Sequence, residues 1–295
     1  MNYRTTKSGL KFSELGLGCM NLPLDYQESK EILKEALSSE ISYFDTADLY
    51  NKGANEELLG KFFKENGHRE DIMIGSKVGN EFFQHSDEVK WNPSREHILN
   101  SVKDSLHRLG TDYMDLYMLH GGMIEDNKEE TIEAFNILKQ DGLIRAYGIS
   151  SIRPNVIRHY LAHSDMDVIM MQFNLIDNRP EMLLDEISAR DVKILARGPV
   201  MKGLLTEKYD SVADRKFEEG VFDYSQDELK EILGKIDAPL TVSTMNYLLS
   251  QPVASIVGGA SSVDQLKANV AAYQQVDYQT HDRALFHDLS YEEHL

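Results

Sequence analysis

Short apolar runs alternate with longer segments in which apolar residues recur every three or four positions. The short runs are LGLGCM (15–20), YFD (43–45), IMIGSKV (72–78), MDLYMLH (114–120), IRAYGIS (144–150), VIMMQF (168–173), VKILAR (192–197) and ASIVG (254–258). Several are apolar almost throughout, the pattern of parallel strands covered on both faces. Between them, SKEILKEALSS (29–39), ANEELLGKFFKEN (54–66), SREHILNSVKDSLHRLG (94–110) and ETIEAFNILKQDG (130–142) carry helical spacing. Ser94 reads as an N-cap, and Gly142 stands where a helix commonly stops. Weaker helical signals follow in RPNVIRHYLAHS, PEMLLDEISARD, LTVSTMNYLLSQ and SVDQLKANVAAYQ.

Eight strand–helix units predict a closed α/β barrel of the (β/α)8 TIM type, taken as one domain over residues 1–295. The competing architecture is an open doubly wound sheet with a nucleotide site at its switch point. That fold carries G-x-G-x-x-G after its first strand; LGLGCMNLP has two glycines at the first spacing, but Pro23 occupies the third part of the motif. Residues 1–13 predict a hairpin from Tyr3 to Phe12 around Ser8-Gly9, placed to plug the N-terminal end of the barrel. The long connection 206–239 predicts a helix of its own near 226–236 and loops folded over the opposite end.

A formal net charge of −18, with lysines and arginines spread singly among carboxylates, argues against nucleic acid and anionic membranes as partners. The lone cysteine, Cys19, excludes an internal disulfide and any zinc site built from several thiolates. No run approaches the roughly 20 apolar residues of a membrane span, and the N-terminus lacks a signal-like apolar stretch, so a cytoplasmic location is expected. The oligomeric state is left open.

In a barrel of this kind the loops at the C-terminal ends of the strands build the active site. Taken in order, those ends carry Asp45 and Tyr50, Lys77, His120, Ser150 and Ser151, Gln172 and Asn174, then Arg197. A loop accounts for any one of them. An acid, a phenol, a lysine and an imidazole on consecutive strand ends converge on one mouth, and they make chemical sense as a proton donor with its support. A free tyrosine titrates near ~10. The Lys77 ammonium would lower that value, Asp45 would hold the ammonium, and His120 would bind the substrate oxygen or share the proton. The plainer alternatives are a buried Asp45–Lys77 ion pair, a lid aromatic and a strand-end histidine.

FDTADLY, GANEELLGK, IGSKVG and DYMDLYMLH, in that order, resemble the signatures of the aldo-keto reductase superfamily, in particular its bacterial members with short C-terminal tails. The likeness runs from LGLGCM to IVGGASSVDQLKAN. The resemblance implies Tyr50 as proton donor, Asp45 and Lys77 tuning it, His120 orienting a carbonyl, and a nicotinamide cofactor laid across the mouth. It places Gly18, Met20 and Asp45 near that cofactor, with Ser150, Ser151 and Gln172 on the carboxamide. It puts Arg197, Gly198, Pro199, Val200, Lys202 and Leu204 on the pyrophosphate loop. Gly258, Gly259, Ala260, Ser261, Ser262, Gln265 and Asn269 fall on the segment that holds the adenosine phosphate. NADP(H) is expected over NAD(H), although Lys267 is the one basic residue of that segment.

Two departures stand out. The family usually has serine then asparagine where Ser150 and Ser151 lie, and an aromatic stacked on the nicotinamide where this chain has Arg197. The guanidinium there is expected to favour the reduced, uncharged ring, or to meet a phosphate or an anionic substrate. The expected substrate is a small carbonyl or alcohol. The loop at 80–94 brings Phe82, Phe83 and Trp91, either as an apolar wall of the substrate pocket or as anchors of the loop itself, and Met170, Met171 and Cys19 read as packing. Two other functions compete: a Schiff-base aldolase using Lys77, and a slow-turnover nicotinamide-sensing module like the potassium-channel β subunits.

Overall fold

A computed structural model of the chain describes residues 1–67, 69–83, 86 and 88–292. Gln84, His85 and Asp87 of the 80–94 loop therefore lie outside the described residues, as do His68 and residues 293–295. The elements run β1 (Tyr3–Thr5), β2 (Lys11–Ser13), β3 (Leu15–Gly18), α1 (Tyr26–Ser38), β4 (Tyr43–Asp45), α2 (Ala54–Asn66), β5 (Met73–Val78), β6 (Asn80–Phe82), β7 (Val89–Trp91), α3 (Arg95–Leu109), β8 (Met114–Leu119) and α4 (Lys128–Gln140). They continue with β9 (Ile144–Ser150), α5 (Pro154–His163), β10 (Val168–Gln172), α6 (Leu184–Ala189), β11 (Lys193–Arg197), α7 (Tyr209–Lys216), α8 (Gln226–Leu233), α9 (Leu240–Leu249), β12 (Val253–Gly259) and α10 (Val263–Tyr273).

Eight parallel strands close a barrel in the order β3, β4, β5, β8, β9, β10, β11, β12, and β12 pairs back onto β3. The expected barrel is the observed one, and each apolar run coincides with a barrel strand to within one or two residues. The helix ends follow local chemistry. The Ser94 hydroxyl accepts the His97 N–H at the start of α3. Gly110 closes that helix with a φ of 62°, a left-handed conformation that costs glycine least.

Apolar side chains fill two layers. Between barrel and helices lies a continuous layer that includes Ile32, Leu59, Phe62, Tyr117, Phe135, Ile157 and Leu266. Inside the barrel, Tyr43, Met73, Leu116, Met118, Val168, Met170 and Leu195 pack against Leu10 and Phe12 of the N-terminal hairpin. The hairpin β1–β2 thus plugs the N-terminal end as expected, turning at Ser8-Gly9 with Gly9 at φ +84°. It is bolted down by polar contacts as well. Asp167 accepts from the Thr6 hydroxyl and from the Ser8 amide and hydroxyl. Arg4 donates to the carbonyls of Leu249, Gln251 and Val253 and to Glu14.

Two elements differ from expectation. The loop after β5 contains the antiparallel pair β6–β7, too short for its three-residue alternation to register. In the 206–239 connection the expected helix appears as α8, preceded by α7, a mostly polar helix of about two turns that offers no apolar stripe.

Candidate active site

Strand geometry aims the site residues. Successive strand residues face opposite sides, so Tyr43 and Asp45 share the interior face of β4, and Lys77 of β5 faces the same interior. The Lys77 ammonium donates to Asp45 Oδ2 at 2.7 Å, to the Thr46 carbonyl at 2.7 Å and to the Tyr50 hydroxyl at 3.4 Å. Below them, the Tyr43 hydroxyl donates to the other carboxylate oxygen, Oδ1, at 3.1 Å. Room for the Tyr43 side chain comes from Gly16 and Gly75 on the flanking strands, where a Cβ would lie 2.8 Å from its ring and 2.5 Å from its hydroxyl. The His120 ring stands edge-on to the Tyr50 ring, with centroids 5.9 Å apart. The four residues expected at the mouth are therefore brought together, with Lys77 bonded to both Asp45 and Tyr50, and His120 against the Tyr50 ring.

Electrostatics separates their roles. Burial pushes the Asp45 carboxyl up, and the Lys77 ammonium beside it pulls back only part of the way. Burial pulls Lys77 down, but Asp45 and Tyr50 outweigh that and raise it, so the amine is held as ammonium. Tyr50 corrects the expectation from sequence. Lys77 does lower it, yet burial comes first and the nearby Asp45 charge adds to it, so the phenol sits above its ordinary value and is protonated at neutral pH. Burial, then the Lys77 and Arg197 charges, push the His120 imidazole down to about 3. It is neutral under all ordinary conditions, and its Nδ1 is buried without a hydrogen-bond partner.

The residues assigned to the cofactor form the other half of the rim, on β9 to β12 and β3. Ser150 and Gln172 are half-buried, whereas Ser151 is buried with its hydroxyl accepting the Arg153 N–H. Arg197 donates to Gln172 Oε1 at 3.3 Å, across the β10–β11 register that pairs the two. Gly198 follows with φ +64°, exposed, its carbonyl held by the Asn174 side chain. Pro199 is buried, Val200 half-buried, and Lys202 exposed in a left-handed turn. Leu204 is fully buried in the core with its N–H on the Met201 carbonyl, so its side chain stands away from the rim. Gly18 and Gly259 are register partners; Met20 is exposed beside them. Gly258 and Ala260 are buried. Exposed Ser261 and Ser262 open α10: Ser262 caps it on the Gln265 N–H, and the Gln265 amide accepts from Ser261. Asn269 donates to the Gly259 carbonyl, and Lys267 reaches Glu35 at 3.7 Å.

Trp91 is half-buried. Its Nε1 donates to Asp126 at 2.9 Å, and its ring covers Gly79 and Gly121, the latter next to His120. The anchoring reading of Trp91 is thus supported at a position beside the mouth. Phe83 is exposed, with the Lys90 ammonium over its ring. Sequence reasoning missed Tyr43 and the Thr46 carbonyl; the i, i+2 spacing of Tyr43 and Asp45 was the available signal for the first.

One further carboxyl lies behind the mouth. Asp48 is 2% exposed, and its Oδ1 has no hydrogen-bond partner. Burial and then the Glu56 charge push it up to about 8, against the pull of the Leu49 N–H, Arg108 and Lys77. Between roughly pH 4 and 8 the folded chain therefore holds a proton that the unfolded chain releases, so stability falls as pH rises through that window. Asp48→Asn should gain on the wild type as pH rises, by about 8 °C in Tm between pH 5 and 8.5. Parallel melting curves across that range would contradict the assignment.

Among the described residues no group of three or more His, Cys, Asp or Glu side chains is placed to hold a metal, and no helix is long and apolar enough to cross a membrane. The family model "Aldo/keto reductase family" matches residues 14–286. An uncharacterized oxidoreductase, YqkF, of Bacillus subtilis is 47% identical over 272 residues, covering 90% of this chain and 88% of its own. The NADH-specific methylglyoxal reductase of Escherichia coli is 28% identical over 295 residues, 89% of this chain and 90% of its own. The holo form of the aldo-keto reductase AKR11C1 from Bacillus halodurans superposes with a TM-score of 0.94 at 45% identity, covering 100% of this chain and 99% of that one.

Proposed function

Because the chain belongs to the aldo/keto reductase family, an oxidoreductase family, we propose that it reduces an aldehyde or ketone to the alcohol, or runs the reverse, with Tyr50 as the proton donor. The observation that carries this reading is the Asp45–Lys77–Tyr50 chain of contacts, closed by a neutral His120. A reduced nicotinamide, when bound, supplies the hydride. The Tyr50 hydroxyl gives its proton to the carbonyl oxygen, and the Lys77 ammonium stabilises the phenolate left behind. Asp45, fixed by Tyr43, keeps that ammonium charged and in place. His120, being neutral, orients the carbonyl by a hydrogen bond and donates no charge of its own.

The residues fit a dinucleotide. Gly198 is exposed with its carbonyl already held, and exposed Ser261 and Ser262, tied to Gln265, stand at the α10 N-terminus where main-chain amides favour an anion. Ser261, Ser262 and Lys267 support NADP(H) over NAD(H), with Lys267 exposed and held only loosely by Glu35. The E. coli relative is by its name specific for NADH, so this preference is the proposal of this chain's own residues. Arg197, beside Gln172 and within electrostatic reach of His120 and Asp45, supports a preference for the reduced ring. The reading carries with it a small-molecule carbonyl or alcohol substrate and a cytoplasmic setting. A Schiff-base role for Lys77 requires a neutral amine, and its surroundings hold it charged.

The test is fluorescence titration of Trp91, the single tryptophan, with NADPH and separately with NADH. Trp91 sits one ring's width from the residue after His120, so it should be quenched on binding, with NADPH in the micromolar range or tighter and NADH weaker. Calorimetry showing no binding of either would overturn the function. Equal binding would remove only the NADP(H) preference.

A further inference from the structure

The turn that carries Tyr50 is conformationally costly, and what holds it lies outside the mouth. Three consecutive residues after Tyr50 are left-handed: Asn51 at φ 51°, Lys52 at φ 52° and Gly53 at φ 90°. Two of the three bear side chains, so the turn persists only where its surroundings over-determine it. Gly53 rests directly on Arg108 of α3; a Cβ there would come within 2.7 Å of the Arg108 Cδ and Nε. Arg108 Nε donates to Glu56 Oε2 at 2.7 Å, and its terminal nitrogen donates to Ser105 at 3.2 Å. Glu56 is fully buried in the first turn of α2, three residues beyond Gly53. Its other oxygen accepts the hydroxyl of Ser76, the residue before Lys77.

One guanidinium thus ties together α3, the left-handed turn, α2 and the strand that carries Lys77. Along the strand, Ser76 faces the helices while Lys77 faces the interior, so the bolt and the site lie on opposite faces of β5. Arg108 makes no hydrogen bond to Asp45, Tyr50, Lys77 or His120 among the described residues.

We propose that Arg108 is a positioning residue for Tyr50, setting the Tyr50–Lys77 separation through Gly53, Glu56 and Ser76. The inference rests on Tyr50 being the proton donor only for its activity readout; the geometry it claims is measurable without turnover. Asp48 lies in the same wall, and the groups facing it are Glu56 on α2, Arg108 on α3, Lys77 on β5 and Tyr117 on β8. Removing Arg108 alone would leave Glu56 as an unpaired buried charge, a loss of stability that says nothing of position. The informative variants are therefore Arg108→Lys and the double change Arg108→Met with Glu56→Gln, which removes both charges.

In the full-length protein with NADPH, the double variant should lose kcat by about 30-fold, a displacement effect, while its Kd for NADPH stays within about twofold. Arg108→Lys, which keeps the charge on Glu56, should recover most of that loss. Amide hydrogen exchange in the peptide spanning Leu49 to Ala54 should be at least about fivefold faster in the double variant. A double variant with wild-type kcat, or with unchanged exchange in that peptide, would overturn the proposal. If the wild type neither binds NADPH nor turns over a carbonyl, the proposed function fails, and the exchange measurement alone still decides the role of Arg108.

Discussion

Tyr50→Phe should abolish nearly all carbonyl reduction while leaving the cofactor in place. The expected loss in kcat is about 10²–10⁴, the span attributed to a positioned general acid. The Kd for NADPH should move by less than about twofold, since a single hydroxyl is removed from a ring that is otherwise retained. The size of the loss follows from the neighbours. His120 cannot stand in, because burial and two nearby cations keep its imidazole neutral, with a value of about 3. Lys77 cannot stand in either, because its ammonium already serves Asp45 and the Thr46 carbonyl. The same reasoning fixes the shape of the wild-type pH profile. Tyr50 titrates above its ordinary value and His120 far below neutrality, so neither puts a limb between pH 5.5 and 7.5. A histidine-like limb near pH 6.5 in reductase activity would assign the proton to the wrong group here. So would a Tyr50→Phe variant that retains a tenth of wild-type turnover.

Lys77→Met should damage both fold and chemistry. Asp45 is 4% exposed and has two hydrogen-bonding side chains, Lys77 and Tyr43; the variant leaves it with the neutral one. Truncating one partner of a buried ion pair costs about 3–5 kcal/mol because the other charge is left uncompensated. For a chain of this size that corresponds to a fall in Tm of roughly 10 °C. The Asp45 carboxyl, already raised by burial, would rise further and take up a proton. Stability lost to a raised carboxyl is lost as pH rises, so the deficit should be larger at pH 8 than at pH 5. Adding Asp45→Asn to Lys77→Met should recover most of the Tm and none of the turnover, since the phenolate would still lack its cation. Recovery of both would reduce Lys77 and Asp45 to a structural ion pair.

The barrel was legible because its strands are buried on both faces, which writes them as unbroken apolar runs such as MDLYML and VIMMQ. The four residues proposed for the chemistry were legible because strand ends in a barrel share one mouth. What sequence could not supply were quantities and contacts that need the third dimension. The net direction of the Tyr50 shift depends on how much burial outweighs Lys77, and no spacing encodes that. The Thr46 carbonyl is main chain and has no signature in sequence. Pairing of Arg197 with Gln172 rests on the register of β10 and β11. The left-handed run Asn51-Lys52-Gly53 is signalled only at its ends, because asparagine and glycine tolerate positive φ whereas lysine does not announce it. Tyr43 is different: its alternation with Asp45 was readable and was passed over.

The N-terminal hairpin has a consequence for the order in which the chain is made. Arg4 grips carbonyls at Leu249, Gln251 and Val253, separated from it by as much as 249 positions, and β3 finds one of its two barrel neighbours in β12. On the ribosome the first thirteen residues emerge before anything they dock against. Leu10 and Phe12, the plug, are apolar and wait through synthesis of almost the entire polypeptide for the barrel they seal. Such long-range closure is slow and leaves sticky surface exposed meanwhile. Until residues 249–259 are made, the stopper already exists but has neither the carbonyls that Arg4 grips nor a closed ring to seal, since β12 is the last stave.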